Sequence, residues 1–127
     1  MANPLDHCGG LPERTFEAGE VLIHEGAPGP LFVLAEGAVE ILKGDLRIAI
    51  VDRPGSIFGE ISVLLDVPPT ATVRALERTR TFVAAEGSAF LSRPELALTI
   101  ARMLAQRLTS VTNDLAAVKR QLDDQKR

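Results

Sequence analysis

Cysteine and histidine are nearly missing from this 127-residue chain, and their scarcity removes several classes of chemistry at once. The lone Cys8 cannot build a disulfide framework within the chain and brings no partners for a zinc or iron–sulfur centre, which favours a cytoplasmic setting over a secreted one. His7 and His24 supply too few donors for the three- or four-ligand site of an all-β metalloenzyme, so no metal is expected. His24, closing a strand-like run, reads as structural. No Ser-His-Asp or Cys-His set is visible, and the scattered carboxylates show no helical pairing suited to acid–base work. No catalytic residue and no cofactor are therefore assigned. Residues 1–30 hold neither a long apolar run nor a basic segment leading into one. Nothing elsewhere approaches the roughly 20 apolar residues of a membrane span. The expectation is a soluble protein that is not an enzyme and does not enter a membrane.

What remains is enough for one packed domain, since 46% of the residues are hydrophobic. The net charge of −3 is unevenly spread. Residues 1–101 hold 8 Lys and Arg against 14 Asp and Glu, a net of −6, whereas residues 102–127 hold 6 against 3, a net of +3. The body of the chain is a poor surface for nucleic acid, and no nucleic-acid partner is expected.

Residues 1–12, rich in Pro, Gly and polar side chains, read as a mobile lead-in. Short β-like runs follow at Val21–His24, Leu31–Ala35, Ala38–Leu42, Leu46–Val51, Ile57–Phe58, Thr70–Ala75 and Thr81–Ala85, separated by turn-forming residues such as Lys43-Gly44-Asp45. Short strands at regular spacing imply an antiparallel roll or jelly roll over residues 13–93. After Gly87 the pattern changes. Ser88 is a candidate N-cap for a short turn through Leu91, and Pro94 suits the first position of a long helix over residues 94–127.

Along that helix Ala97, Ala101, Leu104, Leu108, Val111, Leu115, Val118 and Leu122 recur at alternating steps of four and three, a heptad seam. Two uses of the stripe stand side by side. Its first half, Ala97 to Leu108, can pack on the β-roll of its own chain. Its second half outruns so small a domain, which points to a parallel coiled-coil homodimer.

The richest stretch is FGEISVLLDVPPTATVRA, Phe58 to Ala75. It reads as a strand end, a glycine turn at Gly59, one helical turn over Ile61–Leu65 and a return strand, and free N–H groups at a helix start attract phosphate. Glu60, next to Gly59 and between apolar residues, stands at the inner wall of a pocket or, alternatively, faces water at the positive end of a helix. Thr70 is either a pocket residue or an ordinary strand former like Thr72. Arg74 falls on the Thr70 face by alternation, from which it can reach toward the pocket, although a solvent-exposed strand arginine is the favoured reading.

This run resembles the phosphate-binding cassette of the cyclic nucleotide-binding domain family. The likeness extends to FEAGEVLIHEG (Phe16–Gly26), to LFVLAEGAVEIL (Leu31–Leu42) and to the helix after Pro94. It implies a β-roll followed by a dimer helix, a cyclic nucleotide ligand (cAMP or cGMP), and a site centred on Phe58, Gly59, Glu60, Ile61, Ser62, Pro69, Thr70 and Ala71. In that family the glutamate at the position of Glu60 holds the ribose 2′-hydroxyl, and a threonine at the position of Thr70 tends to favour guanine. In the cyclic AMP receptor proteins, a hydroxyl at the level of Thr112 reaches the base from the partner subunit. One departure stands out: the arginine that serves as the family's main phosphate ligand is replaced by Pro69. Two functions follow as expectations, a cyclic nucleotide sensor or a fold that has lost the ligand and serves in dimerisation or protein interaction. A DNA-binding regulator would need a helix-turn-helix after the long helix, and the sequence to Arg127 holds none.

Overall fold

The run Leu31-Phe32-Val33-Leu34 is apolar without alternation because both of its faces are covered. In the computed structural model, which describes residues 3–126, it begins strand β3 (Leu31–Glu36) of an eight-stranded antiparallel roll. One sheet has the order β1 (Glu13–Phe16), β8 (Thr79–Ala84), β3, β6 (Ile57–Phe58). The other has the order β2 (Val21–Ile23), β7 (Thr72–Ala75), β4 (Val39–Lys43), β5 (Leu46–Val51). Phe32 and Leu34 point between the sheets, where they meet Phe16, Ile23, Val39, Phe58 and Val73. Leu31 and Val33 point the other way, under the helices α2 (Gly87–Leu91) and α3 (Pro94–Gln125), against Phe90, Leu91, Leu96 and Ile100. A strand buried on both faces shows no period of two, so its sequence gives length but not orientation.

Several expectations are corrected. Residues 3–12 are not a loose lead-in: Pro4–His7 form a 3₁₀ turn, Pro4 and Cys8 are buried, and Arg93 Nη1 donates to His7 O at 2.7 Å. Cys8 Sγ donates to Pro4 O, and burial pushes its thiol pKa up. β1 went unread because Glu13-Arg14-Thr15 is polar and exposed. Pairing with β8 makes it a strand, and Phe16, edge-on to Phe32 at 5.7 Å, anchors it. β8 begins two residues earlier than expected, at Thr79. Thr79 and Thr81 are fully buried, and their hydroxyls donate to Ala38 O and Arg14 O. His24 lies beyond β2 and is exposed, and the N-cap position of the short α2 is Glu86 rather than Ser88, with no side-chain capping bond.

α3 starts with Pro94 at its first turn, as read, and its 32 residues extend about 48 Å at 1.5 Å per residue. The face laid on the roll is Leu96, Thr99, Ile100, Met103 and Arg107, with Leu104 half-buried beside it. The heptad stripe is a different face, roughly a quarter turn round the helix. Ala97 and Ala101 are exposed, and so are Leu108, Val111, Leu115, Val118 and Leu122. The expectation that the stripe's first half packs on the roll therefore holds only for Leu104.

Leu96 is the completely buried anchor of α3. Leu96→Ala should lower stability by about 2–5 kcal/mol through lost transfer energy and a cavity, read by urea denaturation. A loss below about 1 kcal/mol would mean that α3 is held mainly elsewhere.

Candidate ligand-binding site

Phe58 ends β6, and the chain then turns through Gly59 at φ +93°, a conformation a side chain rarely adopts; an added Cβ would also crowd Pro30 O at 3.3 Å. Helix α1 (Glu60–Leu65) begins at once. It closes at Asp66 in a left-handed conformation, with Val67 N–H donating to Ser62 O and the Ser62 hydroxyl donating to Val67 O. Pro68-Pro69 deprive the return segment of two ladder donors, so β7 starts at Thr72 and not at Thr70. Thr70 and Ala71 form a bend. Alternation therefore does not carry across from Thr70 to Arg74.

The bend is pinned from both sides. Gly26 N–H donates to Pro69 O at 2.8 Å, Glu25 N–H donates to Thr72 Oγ1, and Lys43 Nζ donates to both Thr70 O and Glu25 Oε2 at 3.0 Å. The Lys43 ammonium, with Gly44 N–H, holds the Glu25 carboxyl below the usual carboxylate range. Arg74 points away from the bend, to Glu40 at 2.6 Å, which also accepts from Arg47 at 3.0 Å. Burial pushes the Glu40 carboxyl up, but the two guanidiniums prevail and hold it low. Arg74 is thus an ion-pair partner on the outer sheet face, neither free in water nor part of the pocket.

The turn, α1 and the bend enclose a cavity of about 380 Å³ roofed by α3. Phe58, Gly59, Glu60, Ile61, Ser62, Pro69, Thr70 and Ala71 all line it. Thr112 does not; it is exposed on α3 one residue past the lining residue Val111. The walls are mostly apolar, from Ile23, Ile41, Val73, Leu104 and Leu108. The polar residues are Glu60, Arg107, Thr70, and Ser62 with its hydroxyl already engaged.

Seven lining residues were missed from the sequence as site residues: apolar Ile23, Ile41, Val73, Leu104, Leu108 and Val111, and charged Arg107. Arg107 of α3 reaches into the cavity, where its Nη1 donates to Glu60 Oε1 and its Nη2 donates to Ile57 O at 2.9 Å. It continues the buried stripe Leu96, Ile100, Met103, so a charged residue at the next step of an apolar helix face was the available signal. Glu60 is only 5% exposed. Burial raises its pKa above the ordinary carboxylate value, and Arg107 opposes that rise without cancelling it.

A family model described as "Cyclic nucleotide-binding domain" matches residues 13–91. The chain belongs to the cyclic nucleotide-binding domain family. Among its relatives are the human cGMP-dependent protein kinase 2, 33% identical over 70 residues that make up 54% of this chain and 9% of the kinase. The cAMP-dependent protein kinase regulatory subunit of Yarrowia lipolytica is 37% identical over 68 residues, 53% of this chain and 18% of that protein. The chain thus spans less than a fifth of these relatives. The crystal structure of Thermus thermophilus Catabolite Activator Protein superposes with a TM-score of 0.73 at 24% identity, covering 94% of this chain and 60% of that one, a likeness of fold. The members of this family are usually regulatory modules. The roll followed by a long helix, expected from the resemblance, is the fold observed.

Removing Arg107 leaves a buried carboxylate without its cation, so the folded-state pKa of Glu60 rises further above the unfolded value. Such a group costs stability as pH rises from the unfolded value through the folded one. Arg107→Ala should therefore lose more stability relative to the parent at pH 8 than at pH 5 in urea denaturation. Equal losses at both pH values would show that Arg107 acts through packing and Ile57 alone.

Proposed function

We propose that the chain is a cyclic nucleotide-sensing regulatory module of the cytoplasm, without catalysis of its own, that takes cAMP or cGMP in the cavity beneath α3 and works as a homodimer. The observation that carries this reading is the convergence of the Phe58–Ser62 and Pro69–Ala71 residues on one cavity with Glu60 buried in its wall. A buried carboxylate there suits a ribose hydroxyl, and the first turn of α1 suits a phosphate oxygen. The relatives' names supply the ligand class, cAMP for one and cGMP for the other. With proline at position 69, Arg107 is the one cation among the described residues that line the cavity, and it is paired with Glu60.

The roof supports dimerisation. Leu108 and Val111 belong both to the cavity lining and to the exposed heptad stripe, so a second α3 laid along that stripe closes the cavity and brings its Thr112 to the edge. A second reading, a fold that keeps the dimer and has lost the nucleotide, is favoured by Pro69, which offers neither charge nor N–H to a phosphate.

Isothermal calorimetry after removal of any co-purified ligand tests the two readings. Binding of cAMP or cGMP should weaken by about 1.5–3 kcal/mol in Glu60→Ala, and Pro69→Arg should tighten it about ten- to more than a hundredfold. No binding by the parent and by Pro69→Arg alike would leave the ligand-free module standing. For assembly, light scattering at micromolar concentration should report a dimer that falls to monomer when Leu115 and Leu122 are both replaced by Lys. A monomeric parent would end the dimer reading.

A further inference from the structure

A second cavity, of about 450 Å³, opens on the neighbouring flank of α3, between that helix, the β5–β6 connection and residues 3–4. Arg53, Arg102 and Arg107 line it, with no carboxylate among the described lining residues. The local charge is opposite to that of the body of the chain, where residues 1–101 carry a net −6. Arg107 is committed to Glu60 and Ile57 O, whereas Arg53 and Arg102 make no ion pair among the described residues. Arg53 is presented by a closed turn, in which both the N–H and the hydroxyl of Ser56 donate to Arg53 O, at 3.1 and 2.7 Å. Behind it Gly55, at φ +93°, leaves room for the Asn3 side chain, whose Oδ1 would collide with an added Cβ. The amide groups of Asn3 and Gln106 and the Ser110 hydroxyl complete a polar rim around walls formed by Pro4, Val51, Pro54 and Met103.

Two unpaired guanidiniums from different elements, facing one concave space of ligand size, form a receptor for a compact anion; a macromolecular partner would call for a broad surface instead. We propose that this second cavity binds a small organic anion bearing two or more negative charges on phosphate or carboxylate groups, independently of the cavity that holds Glu60.

Inorganic pyrophosphate and citrate probe the two anion chemistries in calorimetric titrations at low ionic strength. The expected result is 1:1 saturable binding of at least one of them, weakened tenfold or more in an Arg53→Ser, Arg102→Gln double variant. Both positions are exposed and unpaired, so that variant should fold, and circular dichroism checks it. In ¹⁵N-resolved NMR the amide shifts should centre on Gly55, Gln106 and Ser110. Three outcomes overturn the proposal: no binding of either probe at millimolar concentration, undiminished binding by the folded double variant, or shifts centred on Gly59, Ile61 and Thr70. The last would place the anion in the first cavity.

Discussion

A carboxylate taken almost wholly out of water needs a partner, and the contact between Glu60 and Arg107 answers that need across 47 residues of sequence. The same guanidinium holds Ile57 O, so one side chain of α3 ties together β6 and the start of α1. The long helix is therefore more than a layer over the roll. Its position relative to the cavity is set at Leu96 and Ile100 by packing and at Arg107 by charge. Anything that engages Glu60 must share it with, or take it from, Arg107.

Pro69 and Arg107 together give this pocket its particular character. The proline withdraws charge and a donor from the bend, and the bend is instead shaped by Gly26, Glu25 and Lys43, whose hydrogen bonds go to backbone carbonyls, to the Thr72 hydroxyl and to one another. Among the described residues the one cation lining the cavity is Arg107, which is paired with Glu60. The remaining wall is largely apolar, and the cassette's own lining residues bring it no cation.

The division of α3 into two faces follows from helical geometry. At 100° per residue the buried stripe through Leu96, Ile100, Met103 and Arg107 and the heptad stripe through Leu108, Val111 and Leu115 cannot coincide. One helix can thus be seated on its own roll and still present an apolar seam, and the cavity lies at the edge where the two faces meet.

The sequence by itself determined the strands that alternate or run apolar between clear turns, the glycine turn at Gly59, the helix after Pro94, and the cluster from Phe58 to Ala71 that the fold gathers round one cavity. Each depends on local geometry: a φ that only glycine tolerates, a missing proline N–H, a period of two or of 3.6. Tertiary structure alone decided that polar Glu13–Phe16 becomes a strand, because its partner β8 arrives from 67 residues away. It decided that residues 3–12 are held down, through Cys8 and Arg93. It decided which face of α3 is buried, since apolar residues occur on both, and that Arg74 turns to Glu40 while Arg107 turns to Glu60. A charged side chain takes the nearest opposite charge the fold brings to it, and that neighbour is a property of packing between distant segments, which no local pattern records.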